Sequence, residues 1–159
     1  MRITIACVGK IKEKYFVGAI EEYSKRLGKY VNLDIVQVND EKAPENMSTA
    51  QEDIVKNIEG ERLLKAIKAN SYVVALAIEG KKLSSPELAD FFQDSMTRGI
   101  SHITFVIGGS LGLSKEVLKR ADYKLSFSDM TFPHQLMRVI LLEQIYRSFR
   151  IINNEPYHK

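Results

Sequence analysis

Two stretches in the last third of the chain bring together residue types that can do chemistry. In the first, Phe105-Val106-Ile107 runs into Gly108-Gly109-Ser110-Leu111-Gly112-Leu113-Ser114. In the second, Leu125-Ser126-Phe127-Ser128-Asp129-Met130-Thr131-Phe132-Pro133-His134 leads on to Arg138. An apolar run that stops on two glycines reads as a strand end whose bare backbone admits a flat ligand and offers it N–H groups. The same glycines are also what an ordinary turn with positive φ requires. Phe127 to Phe132 is oddly rich in apolar groups for a mere connection. As a pocket wall it supplies aromatic and thioether surface for a purine or a sulfonium methyl, with backbone hydrogen bonds besides. His134 and Arg138 stand four apart at the start of a helix and share a face. There they either pack on the preceding loop or meet an anion beside the helix N-terminus, where the macrodipole favours negative charge.

Other chemistries find less support. A Walker loop ends in Gly-Lys-Ser/Thr, and no lysine stands in the 108–112 segment. A dinucleotide fingerprint belongs after an early strand with an acidic partner roughly 20 residues on, and neither condition is met convincingly. Three well-separated histidines and one cysteine suggest no metal site. Cys7, inside the first apolar run, reads as a buried inert thiol. His102 precedes a strand and is expected to be exposed, and Glu79, at the rim of Leu76-Ala77-Ile78-Glu79-Gly80, is expected to be solvated. A net charge of +3 permits contact with nucleic acid without requiring it. No stretch approaches the roughly 18 apolar residues of a membrane span, and the first apolar run is too short for a signal peptide. A cytoplasmic protein without membrane contact is expected.

These groups need elements to position them, and strand and helix patterns alternate from end to end. Residues 2–8 alternate with period two, and 13–27 place Phe16, Val17, Ile20, Tyr23 and Leu27 at helical spacing before Gly28. Residues 33–38 form a second strand, and a polar connection follows from Asn39 to Met47. Ser48 is placed to cap a helix carrying Ile54, Ile58, Leu63, Leu64 and Ile67. The apolar run from Tyr72 to Ile78 suits a strand buried on both faces. Ser85-Pro86 suggests an N-cap and first helical residue, and Gly99 closes that helix. A strand over 103–107, a helix capped by Ser114, a strand over 123–127 and a helix from Pro133 to about Ile152 complete the chain. Such alternation implies a mainly parallel sheet with helices on both faces.

Leu136 to Leu142 is apolar almost all round its helix, so a second subunit is expected to cover part of it. A deeply buried core helix is the competing reading, and Arg138, Glu143, Arg147 and Arg150 count against it. The tail, Asn153-Asn154-Glu155-Pro156-Tyr157-His158-Lys159, is of the kind that usually frays.

Taken together and in this order, several segments resemble the small SPOUT-class methyltransferases that act on large-subunit ribosomal RNA. They are Ile-Ala-Cys-Val-Gly-Lys near the start, the glycine segment, the Leu125–His134 loop, Arg-Val-Ile-Leu-Leu-Glu-Gln-Ile-Tyr-Arg and the terminal Pro-Tyr-His. The nearest match is the ribosomal RNA large subunit methyltransferase H family, and it covers the whole chain. The resemblance implies a single SPOUT domain over 1–159, an α/β fold with a C-terminal trefoil knot within about 71–159, which general topology rules disfavour. It implies S-adenosyl-L-methionine as cofactor, held by Leu76, Gly108 and the loop of Phe127, Ser128, Asp129, Met130, Thr131 and Phe132. It implies a homodimer whose active site is completed at the subunit interface. The acceptor would be N3 of a pseudouridine in 23S rRNA of the assembled ribosome. Tyr157 and His158 are expected near that acceptor. His158 and His134 are the candidates for removing its proton, and Arg138 is available to a phosphate or a developing anion. Arg147, Arg150 and Lys159 are candidate phosphate contacts.

Two rival readings stay open on the sequence. One is a SPOUT methyltransferase acting on another RNA such as tRNA, and the other is a non-enzymatic ribosome-binding factor of the same fold.

Overall fold

A computed structural model describes residues 1–159. Five strands alternate with five helices: β1 (Arg2–Val8), α1 (Lys14–Leu27), β2 (Asn32–Val38), α2 (Thr49–Ala66), β3 (Tyr72–Lys82), α3 (Ser85–Thr97), β4 (His102–Ile107), α4 (Lys115–Arg120), β5 (Tyr123–Ser126) and α5 (His134–Ile152). All pairings are parallel, in the order β2-β1-β4-β3-β5.

Period-two patterning divides the strands between two cores. Ile3, Ile5 and Cys7 of β1, Val74 of β3 and Ile103, Phe105 and Ile107 of β4 belong to the larger cluster, with Phe92 of α3 and Leu141, Ile145 and Phe149 of α5. Ala6, Val8, Val73 and Val106 face the other way, toward Leu63 of α2 and Val117 of α4. Both faces of the sheet are thus covered, which is what lets its central strands be apolar throughout.

Local signals account for most helix starts. Ser48 accepts the N–H of Gln51 at 3.3 Å while Gln51 accepts the N–H of Ser48 at 2.9 Å, a reciprocal capping box. The same box places the cap of α3 at Ser84, one residue earlier than expected, because Glu87 returns the bond and Pro86 falls in the first turn. Cys7 is buried, as expected.

His102 departs from the expectation of exposure. It is 8% exposed, opens β4, and its Nε2 lies 2.9 Å from Thr4 Oγ1 on β1. β3 also runs four residues further than the apolar pattern suggested. Leu125 pairs first with Leu76 and then with Lys81, so Ala77 to Gly80 leave the ladder as a bulge. The bulge closes where Gly80 passes against β5, so near that a Cβ would lie 2.7 Å from the Lys124 carbonyl carbon.

Candidate active site

The carboxyl ends of β3, β4 and β5 surround a cleft of about 780 Å³, a size typical of small-ligand sites. Its walls are the β3 segment from Leu76 to Glu79, the turn from Ile107 to Leu113, the end of β5 with Leu125 to Ser128, the loop from Met130 to Pro133, and His134 and Met137 of α5. The bulge in β3 makes room on one side. On the other, the turn after β4 folds back through an N–H of Gly112 to the carbonyl of Gly109 at 3.1 Å. Gly112 has φ +88°, which favours glycine, and a Cβ on Gly108 would sit 2.6 Å from the Gly112 carbonyl carbon. Bare backbone at Gly108 is therefore required by the turn itself.

Serines hold the loop after β5. Ser126 Oγ donates to the Ser128 carbonyl at 3.1 Å, and Ser128 Oγ accepts the Met130 N–H at 3.0 Å. Met130, 75% exposed, stands at the mouth with Ile78 and Phe132 as an apolar lip. The cleft thus brings together Leu76, Gly108, Phe127, Ser128, Met130, Thr131 and Phe132. The Asp129 side chain is not part of this lining, being turned outward to pair with Lys82. Glu79 is exposed, as expected, and stands at the rim of the cleft.

His134 lines the cleft at the first position of α5, half-buried. Burial first, then the nearby charge of Arg138, pushes its imidazole below the ordinary range, so it is neutral at neutral pH. Arg138 is only 2% exposed. Its Nη2 donates to the carbonyls of Val8 at 2.6 Å and Gly9 at 2.9 Å, while Nε and Nη1 are buried without a partner. Where a guanidinium open to phosphate was expected, the group is buried, with one nitrogen held by the strand end at β1 and two left unpaired. This burial also removes Arg138 from the groups counted against a buried helix. Leu141, Leu142, Ile145 and Phe149 pack within the chain, leaving Leu136, Val139 and Ile140 half-buried.

The tail is clasped against α5 rather than frayed. Glu155 accepts from Tyr30 at 2.7 Å and pairs with Arg150 and Lys29. Tyr157 donates to Glu143 Oε1 at 3.0 Å and lies edge-on to Tyr146, under the Arg147 guanidinium. Burial, then the Glu143 bond, pushes the Tyr157 phenol up to about 12. His158 Nδ1 lies 3.3 Å from Arg147 Nη1. Neither Tyr157 nor His158 lines the cleft of its own chain. Arg147 and Arg150, expected at phosphate, are engaged by Glu143 and Glu155.

Sequence reasoning missed Glu59. It lies in the stripe Val55, Glu59, Leu63 on the buried face of α2, and that carboxylate at apolar spacing was the available signal. Glu59 accepts the Glu41 N–H at 3.2 Å, and a Cβ on Gly109 would come within 3.2 Å of the same oxygen. Burial raises its pKa, with the Glu41 N–H opposing. No cluster of three or more His, Cys, Asp or Glu capable of holding a metal ion is present, and no helix is long and apolar enough to cross a membrane.

At the carboxyl ends of a parallel α/β sheet, the glycine turn and the last loop thus close a cleft against the final helix. The family model described as "Predicted SPOUT methyltransferase" matches residues 1–158, and the chain belongs to that family. Along the full length of both chains it is 64% identical to a protein of Alkaliphilus oremlandii and 62% identical to one of Clostridioides difficile. Both are named Ribosomal RNA large subunit methyltransferase H. Among solved structures, a probable methylase family protein from Haemophilus influenzae superposes with a TM-score of 0.56 at 15% identity, over 99% of this chain and 70% of that one. A protein from Legionella pneumophila described as a "putative methyltransferase", solved with the bound cofactor SAM, gives 0.51 at 10% identity, over 94% of this chain and 66% of that one. These two share the fold.

Proposed function

We propose that this protein is a homodimeric enzyme that transfers methyl from S-adenosyl-L-methionine to N3 of a pseudouridine in 23S rRNA of the assembled ribosome. The cleft over Gly108 carries the proposal, in a chain that matches large-subunit rRNA methyltransferases over their whole length.

The lining suits this cofactor. Leu76, Phe127 and Phe132 offer apolar walls to a purine, the 108–112 turn offers backbone at close range, and Ser110 and Thr131 offer hydroxyls to a polar end. When bound, the cofactor supplies a methyl group already activated by its sulfonium. What remains for the protein is orientation, worth much of the barrier in well-aligned reactions, and an N3 atom without its proton. Leu76, Gly108 and the 127–132 loop would hold the donor. Tyr157 and His158 would meet the acceptor, and because they lie off their own chain's cleft, a second subunit must bring them there. The apolar lip of Ile78, Met130 and Phe132, with half-buried Leu136, Val139 and Ile140, supports such a dimer. The C-terminal part of the chain, from about residue 71, is proposed to form the family's trefoil knot.

The test is incubation with methyl-labelled S-adenosylmethionine and, separately, assembled ribosomes, free subunits and tRNA from cells lacking the gene. Label entering the large-subunit RNA of assembled ribosomes is expected. Label entering tRNA alone, or none, would refute the proposal.

A further inference from the structure

We infer that His158 serves the transfer as a hydrogen-bond donor through its Nε2–H, in a tautomer fixed by Arg147, and is not the base that removes the N3 proton. The inference rests on the reaction proposed above and deepens it.

The geometry begins at Glu143. Its Oε1 accepts Arg147 Nε at 3.1 Å, Arg147 Nη2 at 2.6 Å and the Tyr157 hydroxyl at 3.0 Å, and its Oε2 accepts Gln144 Nε2 at 2.8 Å. That carboxylate fixes the guanidinium plane, which also stacks 4.6 Å from the centre of the Tyr157 ring. The remaining Arg147 nitrogen, Nη1, faces His158 Nδ1 at 3.3 Å. A guanidinium has donors only, so Nδ1 must accept. In the neutral ring the proton then sits on Nε2, whose N–H points away from the clasp.

A ring whose Nδ1 lone pair accepts from Arg147 and whose Nε2 already carries the proton has no site left for an incoming proton.

A donor is what the acceptor chemistry can use. N3 of a uracil-type ring is flanked by two carbonyls, and loss of its proton to water spreads the negative charge onto both oxygens. An N–H aimed at one of them stabilises that anion. N3 then forms its bond to the methyl carbon as the sulfur–methyl bond breaks, and the electron pair stays on sulfur.

Two measurements test this. In protein labelled with nitrogen-15 histidine, the His158 resonances should report Nε2 protonated and Nδ1 bare, and Arg147→Met should mix the tautomers. In single turnover on ribosomes, His158→Ala should lose about 100-fold, whereas His158→Gln, which keeps an N–H but no basicity, should keep most of the rate. A protonated Nδ1, or a His158→Gln variant as slow as His158→Ala, would overturn the inference. Absence of any transfer by the unaltered protein would instead overturn the reaction itself, and the donor role with it.

Discussion

Arg138 Nη2 donates to the carbonyl oxygen of Val8 across 2.6 Å, tying the second turn of the last helix to the end of the first strand. The neighbouring Gly9 carbonyl shares the same nitrogen at 2.9 Å. Removing this guanidinium leaves two strand-end carbonyls without a partner in a buried place. Arg138→Met should therefore cost about 3 kcal/mol, read as a lower urea midpoint with unchanged slope. Arg138→Lys should recover part of it, because an ammonium reaches as a single point what the fork reaches as a plane. A loss below about 1 kcal/mol in the methionine variant would show that these bonds contribute little.

Gly108→Ala tests the cradle. Its methyl would lie 2.6 Å from the Gly112 carbonyl carbon, and that atom belongs to backbone, which cannot swing aside as a side chain would. The turn must open, and S-adenosylmethionine affinity by calorimetry should fall at least about tenfold, or about 1.4 kcal/mol. Unchanged affinity would place the cofactor elsewhere.

Asp129 separates side-chain from backbone roles in the loop. Its carboxylate is 81% exposed and turned to Lys82, outside the cleft lining. Asp129→Ala should leave cofactor affinity within about threefold, since an exposed pair of this kind is worth under about 1 kcal/mol. Phe132→Ala, which removes a wall, should weaken it clearly more. Equal losses would indicate that the carboxylate turns inward on binding.

Two histidines make stability fall in mild acid. Burial is the main cause lowering both His102 and His134, with Arg2 adding at His102 and Arg138 at His134. In the unfolded chain both titrate near about 6.5. Below that pH the unfolded state binds more protons, so their stabilisation, fully present above it, is lost as pH falls through the folded values. Urea midpoints should drop between about pH 7 and about pH 5, and His102→Gln should flatten the drop. A variant as steep as the parent would assign the loss to other groups.

Elements were legible where one residue type decides locally. Ser48 and Ser114 cap the expected helices, and Ile3, Ile5 and Cys7 face one core as their alternation requires. What could not be read depends on contacts between distant segments. The four-residue bulge of β3 exists because β5 pairs twice with it, and nothing in Ala77 to Gly80 announces a second pairing. Arg138 looked like an interruption of an apolar helix because periodicity cannot see two carbonyls 129 and 130 positions away. The clasp from Glu143 to Tyr157 and Arg147 to His158 was invisible for a related reason. It depends on the tail turning back along α5 after Asn154, the one non-glycine residue with positive φ, at 54°. Glycine and aromatic positions around the cleft were legible because backbone approach and flat apolar walls demand those residue types wherever they occur.

The identity of the methylated atom decides the proposed reaction most directly. Large-subunit RNA methylated by the purified protein would be cut with nuclease and its fragments read by mass spectrometry, with the modified nucleoside compared against synthetic standards. One methyl group is expected, on N3 of a single pseudouridine, made only in assembled ribosomes. A methyl on a ribose, on another base or on tRNA would contradict the proposed reaction.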